Sequence, residues 1–521
     1  MKKYIKYTIA LVVLISSFSC EEAILDLEER DGIPAEILAG TEQGVEALLA
    51  EAFEGLKTIH SNPDISLYKQ CGTDIAGSGT NMGDVPAHAM RGMNEYTEGL
   101  SAVSESIETL WNTYYTAIAK CNSVVVGVTS VQEPSATLLD YLGQAYTLRA
   151  YAYLELVRRW DNIVISEPTD PNAPPVFSAT QATKEALYTL IISDLETAIP
   201  ILKKRSENGN VLAPSKGLAN MLLAEANLDM GNWQAAATAA DIVINEGSYQ
   251  LQNLDYIFGL EGGKSGEENN TELVFSWGFT KDVPDIFQYT SVHYNSLYDR
   301  LDGIARTMAQ GGRPWGRFSP TDYYWSLFDN EDGRLQAWHK LEYYFDDAAN
   351  LPSGRALGDI ATEQDLINQF GNDPIRIHYL DPVPTKFWED SQYGRSIAEG
   401  EGWRNIIVYR LSNAYLLAAE AYWRLNQIGT AAARLNTLRE RAYGDNAHNF
   451  ASVDMETIIE EHARELGHEG HRWAFLKRLG ILRQRAVLYN PSASGMQDKN
   501  ERWPIPQSFI DLTGINQNTN Y

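Results

Sequence analysis

The chain is 521 residues long, with 44% hydrophobic and 21% charged residues and a formal net charge of -27. This is a globular composition with room for one large domain or two to four ordinary ones. So acidic a body argues against nucleic acid and anionic lipid surfaces as partners, since both require basic patches.

Lys2, Lys3 and Lys6 precede an apolar run from Tyr7 to Phe18, and Ser16, Ser17 and Ser19 lead into Cys20. A basic start, a short apolar core and small residues before a cut site make an export signal. With cysteine directly after the small residues, the pattern looks like a bacterial lipoprotein signal, with residues 1–19 removed and Cys20 lipidated. The alternative is an ordinary secretory peptide in which Cys20 is incidental. Residues 20–40 are acidic and poorly periodic, and read as a tether. No apolar run after Phe18 approaches the length of a membrane-spanning helix. Cys71 and Cys121 remain, too few for a disulfide framework or a thiolate zinc site; two buried thiols are the preferred reading.

Helical periodicity begins at Thr41, a candidate N-cap, with Val45, Leu48, Leu49, Ala52, Phe53 and Leu56 on one face. Gly72 to Gly99 reads as loops. Ile107, Leu110, Trp111, Tyr114, Ile118 and Cys121 mark a second helix, Leu138 to Trp160 a third, and Thr183 to Leu202 a fourth. Ser215–Asn245 and Ser412–Tyr443 read as helical hairpins turning near Gly231 and near Asn426–Gly429. They align at a constant offset of 195, with Asn220, Leu223, Ala224, Asn227, Ala236, Ala240 and Val243 opposite Tyr415, Ala418, Ala419, Tyr422, Ala431, Leu435 and Leu438. These spacings match the tetratricopeptide pattern, although generic Ala-rich packing would also satisfy them.

Between the hairpins, residues 249–409 carry Gly and Pro clusters, a β-like run at Leu273–Trp277 and dense aromatics, including Tyr289, Tyr294, Tyr298, Trp315, Tyr323, Tyr324, Trp325, Trp338, Tyr343 and Tyr344. A loop-rich span this long is expected to be functional or locally structured. The predicted fold is mainly α: a tetratricopeptide-like helical-hairpin scaffold with a large loop-rich, aromatic-rich insertion containing short β segments. Its domain spans 41–521, divided into a helical half (41–248), the insertion (249–409) and a C-terminal helical and closing segment (410–521).

At the C-terminal end the residues become specific. The stretch Arg464-Glu465-Leu466-Gly467-His468-Glu469-Gly470-His471-Arg472-Trp473, then Leu476-Lys477-Arg478, resembles the signature helix of the SusD/RagB family. Trp503-Pro504-Ile505-Pro506-Gln507, Asn516-Gln517-Asn518 and Tyr521 are similar to its closing segment. Leu148-Arg149-Ala150-Tyr151, Leu154-Glu155-Leu156-Val157 and Leu417–Ala421 agree as well. Phe475 departs from the aspartate common in the family, which weakens the expectation of a helix-local ion pair with Arg472. The resemblance implies a helical body with four tetratricopeptide-like units. It also implies a non-catalytic, surface-exposed outer-membrane lipoprotein that binds a glycan and hands it to a SusC-type TonB-dependent transporter.

Read bottom-up, Arg464, Glu465, Glu469 and Arg472 alternate in sign at spacings that favour ion pairs along one helix face. His468 and His471 stand at i and i+3, which fails the i, i+4 spacing of a zincin helix. No nucleophile elbow or Walker loop is present, and no metal or cofactor is expected. A pyranose needs flat aromatics for its C–H face and polar groups for its hydroxyls. Arg313-Pro314-Trp315-Gly316-Arg317 meets that demand, with glycine exposing the ring and guanidiniums flanking it. Tyr294, Tyr298, Tyr323, Tyr324 and Trp325 are expected to complete a platform, and Asn81, Asp84, His88 and Asn94 to form an opposite wall. For each aromatic the competing reading is core packing. The functional alternatives are a peptide-binding RagB-type member of the same family, a structural scaffold protein, and a secreted glycoside hydrolase.

Overall fold

The computed structural model describes residues 41–82, 89–166, 179–209, 211–259 and 263–521. Cys20, Asp84 and His88, together with the export signal and tether, lie outside these residues.

Helices dominate: α1 (Glu42–Lys57), α2 (Glu105–Ser130), α3 (Ala136–Trp160), α4 (Lys184–Ile201), α5 (Lys216–Met230), α6 (Trp233–Asn245), α7 (Leu411–Arg424), α8 (Ile428–Tyr443), α9 (Met455–Leu466) and α10 (Arg472–Arg478), joined by shorter helical turns. Each helix from α1 to α8 packs on the next, and α9 packs on α7. The cause is the apolar spacing: α2 buries Ile107, Leu110, Tyr114, Ile118 and Cys121, three or four residues apart, with Trp111 beside Leu110 on the same face. Buried alanines on α6 (Ala236, Ala237, Ala240) and α7 (Ala414, Ala418, Ala421) let these helices approach closely across the boundary between the two hairpins. Thr41 caps α1 by accepting from Gly44 N at 3.1 Å, and Thr183 caps α4 from Ala186 N at 3.2 Å. The hairpin turns use left-handed residues, Gly231 at φ 77° and Asn426 at φ 58°.

The insertion is held by short antiparallel strand pairs. Leu273–Trp277 is a strand, as its sequence suggests, and pairs with Ile406–Arg410, which runs directly into α7. Ala76–Ser78 pairs with Phe318–Pro320, tying the N-terminal half to the insertion. The segment expected to be loops from Gly72 to Gly99 therefore contains a strand, and also a short helix at Ala89–Glu95. Tyr298, Leu301, Ile304, Tyr343, Phe345 and Leu366 form a separate small core within the insertion. Cys71 and Cys121 are buried free thiols.

The signature segment departs from expectation. It is not one helix: α9 ends at Leu466, His468 (φ 67°) and Gly470 (φ 91°) turn the chain, and α10 begins at Arg472. Only Arg464 pairs locally, with Glu460 at 2.9 Å and Glu461 at 3.0 Å. Glu465 instead meets Arg410 at 2.6 Å and Arg334 at 3.0 Å, and it also meets Arg441. Glu469 meets Arg410 and Lys386, both at 2.7 Å. Arg472 reaches Asp74, whose carboxylate also binds Arg485 at 2.9 Å. The absent aspartate at position 475 is thus immaterial to Arg472, which has a buried partner far away in sequence. These pairs are almost wholly out of solvent, so they hold elements in register more than they add net stability.

Candidate functional site

The loop Arg313–Arg317 is pinned on both sides by backbone. Trp315 N donates to Val292 O (2.9 Å), Gly316 N to Asn295 O (2.8 Å) and Arg317 N to His293 O (2.9 Å). On the other side Asn81 N donates to Gly316 O and Gly79 N to Arg317 O, both at 2.8 Å. This close approach requires glycine: Gly316 has φ 57°, and a Cβ on Gly79 would stand 2.4 Å from Gly316 O. Asn81 is therefore brought to the loop through its backbone.

Trp315 is half-buried and stacks on Tyr289, with ring centroids 5.1 Å apart and planes 25° from parallel. The Arg317 guanidinium lies 4.4 Å from the Trp315 ring centre, and the edge of His293 meets the same ring at 5.1 Å. Phe287 packs edge-on against Tyr289 at 5.4 Å. The Tyr289 hydroxyl donates to Glu401 Oε1 at 3.1 Å; burial, then the Glu401 charge, pushes its pKa up to about 12. Gly400 lets the neighbouring loop pass over the stack, since a Cβ there would lie 2.9 Å from Trp315 Cζ2. Exposed Arg313 donates from Nη1 to Ala398 O at 3.0 Å, beside Ile397, which is 45% exposed. The result is a pinned, half-buried aromatic pair with one guanidinium over the Trp315 ring, a second on the same loop and a carboxylate on the Tyr289 hydroxyl.

Several residues expected here are elsewhere. Tyr294, Tyr298 and Tyr324 are buried and offer no open face. The Tyr294 hydroxyl bonds His468 Nδ1 at 3.1 Å, Tyr298 donates to Gly312 O at 2.6 Å and stacks on Tyr343, and Tyr324 bonds His339 Nε2 at 2.9 Å. Tyr323, Tyr324 and Trp325 lie on one short helix, where successive side chains diverge by about 100°, so they cannot share a plane. Tyr323 stacks on Tyr489 at 4.0 Å and accepts from Arg485, while Trp325 packs edge-on against Tyr324 and His339. Asn94 is fully buried and structural, accepting from Gly72 N and donating to Ser78 Oγ. Sequence reasoning did not bring Tyr289, Glu401 or Gly400 to the Trp315 loop. The aromatic alternation Phe287–Tyr289 was the available signal.

Among the described residues no group of three or more His, Cys, Asp or Glu side chains is placed to hold a metal. His60, His339, His462 and His468 have pKa values lowered chiefly by burial and serve the interior. His471 bonds Val408 O at 2.9 Å. The geometry suits reversible stacking and hydrogen bonding.

Fold and site together define a helical-repeat scaffold that presents a loop-borne aromatic face. At both ends the chain is similar to the SusD/RagB family. Residues 378–521 match the model of the SusD family, and residues 41–228 match a model described as starch-binding and associating with the outer membrane. SusD-like protein P25 of Formosa agariphila is 24% identical over 90% of this chain and 89% of its own length. A SusD-like protein of Bacteroides ovatus is 24% identical over 72% of this chain and 66% of its own. Among solved structures, a SusD homologue from Bacteroides thetaiotaomicron superposes with a TM-score of 0.74 at 21% identity, covering 95% of this chain and 100% of that one. Surface glycan-binding protein A from the same organism, in complex with laminarihexaose, gives 0.69 at 20% identity, covering 92% and 99%.

Proposed function

We propose that this chain is a surface-exposed, glycan-binding lipoprotein of the outer membrane. It captures an oligosaccharide on the Tyr289–Trp315 face, without catalysis, and passes it to a SusC-type TonB-dependent transporter. The observation that carries this reading is the half-buried aromatic pair held rigid by backbone bonds, with Arg313, Arg317 and Glu401 beside it. A sugar's C–H face gains from such rings, and the polar groups beside them serve its hydroxyls. Rigidity limits the entropy lost on binding.

Similarity supports the same reading. One family model that matches is described as starch-binding and outer-membrane-associated. One structural neighbour is described as a laminarin-binding SusD-like protein, and another is complexed with laminarihexaose. Among the described residues no helix is long and apolar enough to cross a membrane, which accords with tethering through a lipid on Cys20. The test is titration of intrinsic tryptophan fluorescence with a glycan panel. Saturable binding to one glycan class, lost in Trp315→Ala, is expected. Binding to peptides and to no glycan would overturn the reading in favour of peptide capture.

A further inference from the structure

Most arginines among the described residues are ion-paired. Arg149, Arg158, Arg334, Arg404, Arg410 and Arg472 each have a carboxylate within 3 Å, and even exposed Arg306 does. Arg205, Arg300 and Arg424 are exceptions scattered along the chain, whereas Arg313 and Arg317 share one loop: neither has a carboxylate within 4 Å among the described residues, and each donates only to a main-chain carbonyl. Arg313 Nη1 goes to Ala398 O at 3.0 Å and Arg317 Nη1 to Pro63 O at 3.1 Å. In a chain with a net charge of -27, acidic partners are abundant, so two unpaired guanidiniums on one five-residue loop are not explained by composition. They flank Trp315 in sequence, and the Arg317 guanidinium lies over its ring.

Nearby acidic groups are largely engaged by other partners. Glu401 accepts from Tyr289, and Glu399 accepts from Ser396 N at 2.6 Å and faces Lys281 at 3.6 Å. Asp64 is close enough to bias Arg317, but burial dominates and lowers that guanidinium's pKa. A guanidinium carries five donors in a planar fork that matches an oxyanion two bonds at a time. With one donor used on each, both residues keep most of that fork for a ligand. Neutral hydroxyls could be met by asparagine or serine without the cost of holding a half-buried charge.

We propose that the glycan bound on this face is acidic, and that Arg313 and Arg317 read its oxyanions beside the Tyr289–Trp315 stack. This inference rests on the glycan-binding reading above. The oxyanion is a uronate carboxylate or a sulfate ester, which share the same fork chemistry. Long-range repulsion from the acidic body would weaken at physiological salt, leaving these short contacts to decide selectivity.

The experiment is a calorimetric titration of the full mature chain with three oligosaccharide series: neutral β-glucan, uronic-acid and sulfated. The expected result is binding of one acidic series at least tenfold tighter than the neutral one. Whether uronate or sulfate is preferred identifies the oxyanion. Arg313→Gln alone, and the Arg313→Gln/Arg317→Gln pair, should reduce acidic binding several-fold and about tenfold or more, each a clearly larger loss than the same variant causes in the neutral series. Exposed Arg313 cannot endanger the fold, which keeps the single variant decisive. Equal or tighter neutral binding, or an equal loss for both series, overturns the charge inference while leaving the aromatic platform standing. Binding to no series, or binding indifferent to Trp315→Ala, overturns the platform and this inference together.

Discussion

Replacing Asp74 by asparagine should unfold this protein several degrees earlier, although Asp74 lies nearly 400 positions from the signature segment it holds. Its carboxylate is fully buried and accepts from Arg472 Nε at 2.8 Å, Arg472 Nη2 at 2.7 Å and Arg485 Nε at 2.9 Å. An amide keeps the shape, but it removes the charge and turns an NH2 towards guanidinium donors. Breaking a buried pair from one side leaves an uncompensated charge and costs about 3–5 kcal/mol. An unfolding entropy of ~2.1 cal/mol/K per residue amounts to about 1 kcal/mol/K for a chain of this length. The melting temperature should therefore fall by about 3–5 °C. Scanning calorimetry reads this, with Asp498→Asn as control. Asp498 is 92% exposed in its pair with Arg483 and should shift the melting point by less than about 1 °C. An Asp74→Asn melting point indistinguishable from that of the control would refute the claim that the Asp74–Arg472–Arg485 cluster ties the two ends of the chain.

Gly400→Ala should weaken glycan binding with little loss of stability, because its methyl would displace Trp315 from 2.9 Å away; titration and melting on one sample separate the two effects. Tyr298→Phe should cost about 1 kcal/mol through the lost bond to Gly312 O and leave glycan affinity unchanged, as a buried ring contributes no stacking face. Acid should destabilise the fold. The paired Glu155 carboxyl is lowered from 4.5 to about 2 despite its burial, so its contribution is complete above about pH 4.5 and fades towards pH 2; a urea midpoint that did not fall across that window would contradict this. Cys20→Ser should release the protein from the cell surface while the purified body binds ligand as before, measured by fractionation and titration.

The scaffold was legible because its signals are local. The cap at Thr41, the apolar spacing of α2 and the matched hairpins need only neighbours along the chain. Leu273–Trp277 was visible as a strand, but its partner Ile406–Arg410 was not, since pairing is a long-range choice. The signature segment misled for the same reason: its charges have helix spacing, yet His468 and Gly470 turn the chain and send Glu465, Glu469 and Arg472 to distant partners. At the site, the Trp315 loop stood out by composition. Which aromatics share its face did not, because exposure is decided by packing. Tyr294 and Tyr298 sit inside, while Tyr289 reaches Trp315 only through the backbone bonds that clamp residues 315–317 to residues 292–295.

The central claim is that the Tyr289–Trp315 face binds glycan. Its most direct measurement is calorimetric titration of wild type, Tyr289→Ala and Trp315→Ala with the glycan that binds most tightly in the panel. Loss of about 1–3 kcal/mol of binding free energy in each variant, with melting points held near wild type, is the predicted result. Undiminished affinity in both variants would place the ligand elsewhere on the molecule and contradict the account.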